Sequence, residues 1–284
     1  MNQVCSRLGI PFNFLAATEK DHIYRKPRPG MWYLFNERLN QSQNIDLDKS
    51  FYVGDAAGRV ANWKLNIPKD FNDTDRKFAM NLSIQFFTPQ EYFLSKPQAP
   101  FELSFDPKKY LESVPCLYTS ETAQLVSSEQ EIILFVGPPA SGKTTFYQTY
   151  LSSHQYKHVN LDTMKSTSKC LSSVSTFINE KKSIVVDNTN PDIETRKSYI
   201  RIAVSRKVPI RCFWFDMSQS LVEHNNAYRS SQGGVRVPTV AFNTYWKKFK
   251  EPTLNEGFTE ILKIGFVPNF STIEEKRKWC EFWT

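Results

Sequence analysis

Residues 137–144 spell G-x-x-x-x-G-K-T, and the conserved-looking letters of this pattern each have a chemical use. Gly137 and Gly142 let the main chain pass close to a phosphate, where a Cβ would intrude. The N–H groups of such a loop, followed by a helix N-terminus, form an anion site. Lys143 reaches the β- and γ-phosphates of a nucleoside triphosphate, and the Thr144 hydroxyl ligates Mg²⁺. Ser141 and Thr145 complete the expected nucleotide-binding set. The apolar run 132–136 ahead of the loop reads as a buried strand, and TTFYQTYL behind it reads as a helix. A plain Gly-Pro turn would not need this order of strand, loop and helix. The chain is expected to bind ATP.

Three acids close predicted strands, and in parallel sheets ligands bind at the carboxyl ends of strands. Asp162 ends HVNLD (158–162), where a carboxylate can take the proton of an incoming hydroxyl. The same residue would also serve as a helix N-cap. Asp187 ends SIVVD and takes the place of the acid that sits near Mg²⁺, with Thr189 or Asn190 capping the next helix. Asp216 precedes Met217-Ser218 and favours a cap. Arg229 lies in LVEHNNAYRSSQGGVRVP, a polar stretch suited to a mobile lid. A lid arginine clamps the transferring phosphoryl group, whereas a surface arginine does nothing of the kind.

These residues need a frame. Short apolar runs at 12–18 and 50–55 flank a helical stretch near GMWYLFNERLNQ. Residues 95–120 are irregular and proline-rich (Pro97, Pro100, Pro107, Pro115) and read as the connection between two units, 1–114 and 115–284. Strands at 133–137, 158–162, 183–189 and 210–216 then alternate with helical patterns such as IETRKSYIRIAVSR. The fold class is α/β, with parallel sheets and helices on both faces.

With 284 residues, 40% hydrophobic and 14% aromatic, the chain has the material for one or two cores. No apolar run approaches ~18 residues, so no membrane partner is expected. Five scattered cysteines without C-x-x-C spacing, and an N-terminus without a signal-peptide core, read as intracellular and reduced. The net charge is +7, of which +2 falls in 1–114 and +5 in 115–284. Arg196 to Arg211 holds six basic residues and no acid. Such a run suits a polyanionic partner or a solvated helix face.

VGPPASGKTT (136–145), VNLDT (159–163), VVDNTNPD (185–192), HNNAYR (224–229) and EPTLNEGF (251–258) stand in order. Together they closely resemble the kinase domain of the animal bifunctional polynucleotide phosphatase/kinase family, over essentially all of 115–284. The resemblance implies a P-loop kinase that transfers phosphate from ATP, with Mg²⁺, to a 5′-hydroxyl at a DNA or RNA end. It implies strand-break repair, a nuclear location and a monomer. It assigns Lys143 and Thr144 to phosphate and metal, Asp162 to general base and Arg229 to the lid. Leu161 and Ala227 depart from it, each standing where relatives often carry a basic residue. A small-molecule P-loop kinase and a non-catalytic DNA-end-binding protein are the competing readings. Intact Lys143, Thr144, Asp162 and Asp187 argue against the second.

The first 114 residues resemble something else. KPRPGMW (26–32) and FYVGDAAGR (51–59), continued through residues 75–93, are similar to the second half of a haloacid-dehalogenase-type domain, the Rossmann-like 3′-phosphatase part of the same family. This implies that Lys26 holds a phosphoryl intermediate and that Asp55 ligates Mg²⁺. The family's D-x-D-G-T nucleophile loop should precede Lys26, where the only aspartate is Asp21. Asp46-Leu47-Asp48 and Asp73-Thr74-Asp75 read D-x-D, but neither follows an apolar strand or continues as Gly-Thr. A partial domain, loss of 3′-phosphatase activity and apolar faces open to water are therefore expected. Scaffold binding through the family's forkhead-associated module, which would lie upstream of these residues, is not expected.

Overall fold

The computed structural model describes residues 12–19, 22–113, 116–118 and 124–284; Cys5, Asp21 and Pro115 lie outside them. The chain divides into two compact units, Met1–Pro107 with Trp279–Thr284, and Lys108–Lys278.

The first unit contains α1 (Gly30–Leu34), β1 (Phe51–Val53), α2 (Thr74–Leu82), β2 (Gln85–Phe87) and α3 (Pro89–Leu94). β1 and β2 pair in parallel, with Phe51 opposite Gln85 and Val53 opposite Phe87. α2 lays Phe78, Ala79 and Leu82 against Trp32, Tyr52 and Phe86. Residues 12–18, expected as a strand, carry none. Phe12 and Phe14 stay exposed, so the segment buries too little apolar surface to offset ordering it. β1 instead takes β2 as its neighbour. Phe51 stacks on Tyr92 at 4.9 Å, with Phe87 and Phe93 against the same tyrosine. Phe51, Tyr92 and Phe93 are exposed.

The units divide after Pro107, and the last six residues return to the first unit. Trp279 and Phe282 are buried. The Asn81 amide donates to the Phe282 carbonyl and accepts from its N–H, both at 2.9 Å, which are the two bonds a neighbouring strand would make. Lys77, fully buried, donates to Ser104 Oγ at 2.7 Å and to the Thr284 main-chain oxygen at 2.8 Å, and pairs with Asp73 at 3.1 Å. The side chain that fills this site is part of the unit's core. Phe282→Ala is expected to cost the first unit about 3–5 kcal/mol. Urea unfolding with hydrogen exchange on α2 measures it. Unchanged α2 protection would mean that the segment only drapes over the surface.

α4 (Pro107–Glu112), a helix inside the stretch expected to be irregular, spans the division and leads into the second unit. Pro107 occupies its first position, where a missing N–H costs nothing. Then follow β3 (Ile132–Val136), α5 (Lys143–Phe146), β4 (Lys157–Val159), α6 (Leu161–Met164), α7 (Thr167–Asn179), β5 (Ile184–Val186), α8 (Ile193–Arg206), β6 (Ile210–Phe215), α9 (Gln219–Ser231), α10 (Thr239–Lys248), β7 (Glu260–Ile264) and α11 (Ile273–Trp279). The sheet runs β4-β5-β3-β6-β7, all parallel. Side chains alternate across it. Ile132, Leu134 and Val136 pack in one cluster with Val174 and Ile178 of α7 and with Tyr199 and Ala203 of α8. Phe135 meets Phe146, Phe213 and Phe215. Helices therefore cover both faces. Among the described residues, no helix is long and apolar enough to cross a membrane.

The basic run from Arg196 to Arg211 is not one surface. Arg196 is fully buried and makes two 2.7 Å bonds to Glu256, from Nε and Nη2. Arg211 is buried against Glu131, with two bonds of 2.6 Å. Their guanidinium charges are spent inside the unit. Arg206 and Lys207 are exposed, but they sit where α8 turns back into β6, at the amino ends of the strands. A crossover helix must return the chain to that end of a parallel sheet.

Candidate active site

The loop 137–142 leaves β3, the middle strand, at its carboxyl end. Its glycines are needed for two separate reasons. A Cβ on Gly137 would lie 2.7 Å from the Phe215 Cβ, so packing against β6, as well as phosphate, excludes a side chain. Gly142 has room for a Cβ but sits at φ +83°, which glycine adopts without strain. Among the described residues, the N–H groups of Ala140, Gly142, Lys143 and Thr144 find no protein acceptor. They form the cradle that the spacing predicts. Lys143 is folded into the loop, donating to Pro138 O at 2.6 Å, Gly137 O at 3.1 Å and Ser141 Oγ at 3.2 Å. Burial pushes its ammonium down to about 8, against the attraction of Asp187 and Asp162. An arriving phosphate supplies the charge that this site lacks.

Asp187 follows β5 as expected and is buried. Its Oδ2 accepts from Thr144 Oγ1 at 2.7 Å. The helix behind it is capped by Asp192, whose side chain accepts from Thr195 N, and not by Thr189 or Asn190. Asn190 is buried and donates to Phe135 O at 2.7 Å, while Gly137 N donates to Thr189 O at 3.1 Å. These two bonds tie the loop after β5 to the end of β3. Arg196 adds bonds to the Asn190, Pro191 and Lys250 carbonyls. The EPTLNEGF motif thus contributes Glu256 as the partner that holds Arg196 under the site.

Asp162 does not close a strand. β4 ends at Val159, and Asn160 caps α6, its side chain accepting from Asp162 N at 2.8 Å and Thr163 N at 3.3 Å. Asparagine at this position satisfies the first N–H groups and turns the chain two residues early. Asp162 is left on the first turn, exposed, and close enough to Lys143 to act on its charge. Asn160 also donates to Asp187 O at 2.8 Å, and Leu161 N donates to Asn188 Oδ1 at 2.7 Å, so α6 is fastened to the Asp187 loop. Thr145 lies on α5 with its predecessors.

Arg229 stands within α9, and the stretch expected as a lid is helical as far as Ser231. Its Nη2 donates to Val235 O at 2.5 Å. Asn226, buried, exchanges two 2.9 Å bonds with Val237 and pins the loop behind it. Ala227 is buried as well, where a long basic side chain would have no room. Asp216 does not cap α9; Ser218 does, and Asp216 lies 3.4 Å from Lys263.

In the first unit, Lys26 donates to Asp75 Oδ1 at 2.5 Å and to Tyr52 OH at 2.7 Å. Burial opposes its charge, but these bonds prevail and hold the ammonium above the usual lysine value. Asp75 belongs to one of the discounted D-x-D pairs. Its Oδ2 accepts from Ala56 N at 3.1 Å, and any side chain on Gly54 would collide with it. Asp55, next to Gly54 in the chain, is exposed.

The chain has close relatives. Residues 1–93 match the polynucleotide kinase 3 phosphatase family model, and residues 165–252 match an AAA domain model. A Schizosaccharomyces pombe bifunctional polynucleotide phosphatase/kinase is 40% identical over 262 residues, covering 91% of this chain and 61% of that protein. A protein of Acanthamoeba polyphaga mimivirus named for the same two activities is 33% identical over 293 residues, covering 93% of this chain and 68% of its own length. An Arabidopsis thaliana polynucleotide 3′-phosphatase is 48% identical over 109 residues, covering 35% of this chain and 15% of that protein. With a nucleotide cradle on one unit and the Lys26–Asp75 pair on the other, the chain belongs to the bifunctional polynucleotide phosphatase/kinase family.

Proposed function

We propose that the second unit is a polynucleotide 5′-hydroxyl kinase that uses ATP and Mg²⁺ on DNA or RNA ends, in the setting of nuclear strand-break repair. One observation carries the reading: Thr144 Oγ1 and Asp187 Oδ2 meet at 2.7 Å beneath a loop of unused N–H donors. Both are hard oxygen donors, the type Mg²⁺ prefers. Among the described residues no cluster of three or more His, Cys, Asp or Glu could hold a metal. That fits an ion held by one carboxylate, a hydroxyl, phosphate oxygens and water. When bound, the ion neutralises charge on the transferring phosphate. The chain does the rest. The loop N–H groups bind the phosphates, Lys143 turns out of the loop to meet the β/γ oxygens, and exposed Asp162 takes the acceptor's proton.

Lys247, Lys248 and Lys250 are exposed at the end of α10, and Lys250 N donates to Pro191 O at 2.9 Å, close in the chain to Asp187. They offer the polyanion contact that the buried Arg196 and Arg211 do not. Transfer of labelled γ-phosphate from ATP to a 5′-hydroxyl oligonucleotide tests the reading, with a nucleoside as control acceptor. Transfer to the oligonucleotide is expected, with affinity that drops steeply as salt rises. Equal use of the nucleoside would favour a small-molecule kinase.

A further inference from the structure

His158 is the middle residue of β4, the edge strand of the sheet, opposite Val185 of β5. Its neighbour Val159 is buried in the core. Alternation along the strand turns His158 to the other face. There its ring lies flat on Tyr147, with centroids 4.1 Å apart and planes 11° apart. Tyr147 is itself held, because its hydroxyl donates to Tyr156 O at 3.0 Å. Packing therefore sets the plane of the imidazole. In that plane Nε2 lies 3.0 Å from Asp187 Oδ2. A carboxylate oxygen only accepts, so the proton of this bond is carried on Nε2.

The same oxygen already receives Thr144 Oγ1 at 2.7 Å, and the Asn160 amide approaches it at 3.5 Å. Oδ2 thus has its two lone pairs occupied by Thr144 and His158. Among the described residues, Oδ1 receives no hydrogen bond. Asp187 is sorted into one oxygen bound to protein and one left for something else. A carboxylate that must present one oxygen to an octahedral ion gains from such a clamp, because Mg²⁺ tolerates little distortion. Partners behind a ligand set its direction as surely as the ligand's own rotamer does.

We propose that His158 is a positioning residue of the phosphoryl-transfer site: its Nε2–H holds Asp187 Oδ2, so that Oδ1 faces the Mg²⁺ that accompanies ATP. The proposal rests on the kinase reading above. A purely structural histidine would act through its stack on Tyr147 alone. Two variants separate the two roles. His158→Phe keeps a flat ring on Tyr147 and loses the donor. His158→Gln loses the ring and returns an N–H at similar reach.

The experiment is calorimetric ADP binding by the full chain, with and without Mg²⁺, beside the Mg²⁺ dependence of 5′-phosphorylation. His158→Phe is expected to bind metal-free ADP like the unsubstituted chain. Its gain in ADP affinity on adding Mg²⁺ should shrink about tenfold, and the Mg²⁺ needed for half-maximal transfer should rise by a similar factor. His158→Gln should lie closer to the unsubstituted chain in both. A His158→Phe chain with unaltered Mg²⁺ dependence, or a His158→Gln chain more impaired than His158→Phe, would overturn the proposal. An unsubstituted chain that binds no ADP would instead bring down the kinase reading, and this assignment with it.

Discussion

Lys143→Ala is expected to lower phosphoryl transfer by at least about 10³-fold, because on the proposed reading it deletes the ammonium that turns out of the loop to follow the β/γ-phosphates as charge shifts between them. The structure adds a second consequence. Lys143 bonds Pro138 O, Gly137 O and Ser141 Oγ, so truncation also leaves three loop acceptors without their donor. Lys143→Met retains most of the stem and so separates loss of the ammonium and its three bonds from loss of packing. Both variants should retain the fold, since the β3 core beneath the loop is built from Ile132 to Val136 and does not involve the lysine. Steady-state transfer to a 5′-hydroxyl oligonucleotide, with a thermal melt for each variant, measures the effect. Unchanged turnover in folded Lys143→Ala would sink the phosphate-loop assignment.

Asp162→Asn is expected to lower kcat by roughly 10²–10⁴-fold with little change in ATP affinity. The substitution is cleaner than the sequence suggests. Asn160, not Asp162, caps α6, and it accepts from the main-chain N–H of residue 162, which the variant keeps. The helix start should therefore survive while the carboxylate proposed to accept the proton is lost. Asn160→Ala makes the contrast, since it removes both the cap and the 2.8 Å bond to Asp187 O. If Asp162→Asn lost ATP binding and turnover together, Asp162 would be a structural residue or a metal ligand.

The nucleotide cradle is legible in the sequence because it is local. Strand, loop and helix are contiguous over residues 132–151, and the φ of +83° at Gly142 is a property of one residue. Asp187 is legible for the same reason, since it directly follows the run Ile184–Val186, whose β-branched side chains mark a buried strand. The helix IETRKSYIRIAVSR also forms over the span its pattern indicates, Ile193–Arg206.

Other features turn on partners far away in the chain. Arg196 and Arg211 look like surface charge in a basic run. Glu256 and Glu131, 60 and 80 residues distant, make them buried ion pairs. Asp75 looks like a stray acid until the fold brings Lys26 to it across 49 residues. His158 carries no signal as a lone histidine, because its meaning comes from Tyr147 on the face of its ring and Asp187 at its Nε2 edge.

The sequence by itself determined the α/β class, the phosphate loop and the acid behind β5, since each follows from backbone conformation and hydrophobic period within a few consecutive residues. The tertiary structure alone decided which charges are spent internally and that Asn160 rather than Asp162 caps α6. It also decided that residues 279–284 complete the first unit. A hydrogen bond or ion pair is a fact about two groups, and distant groups meet only once the sheet has set their places.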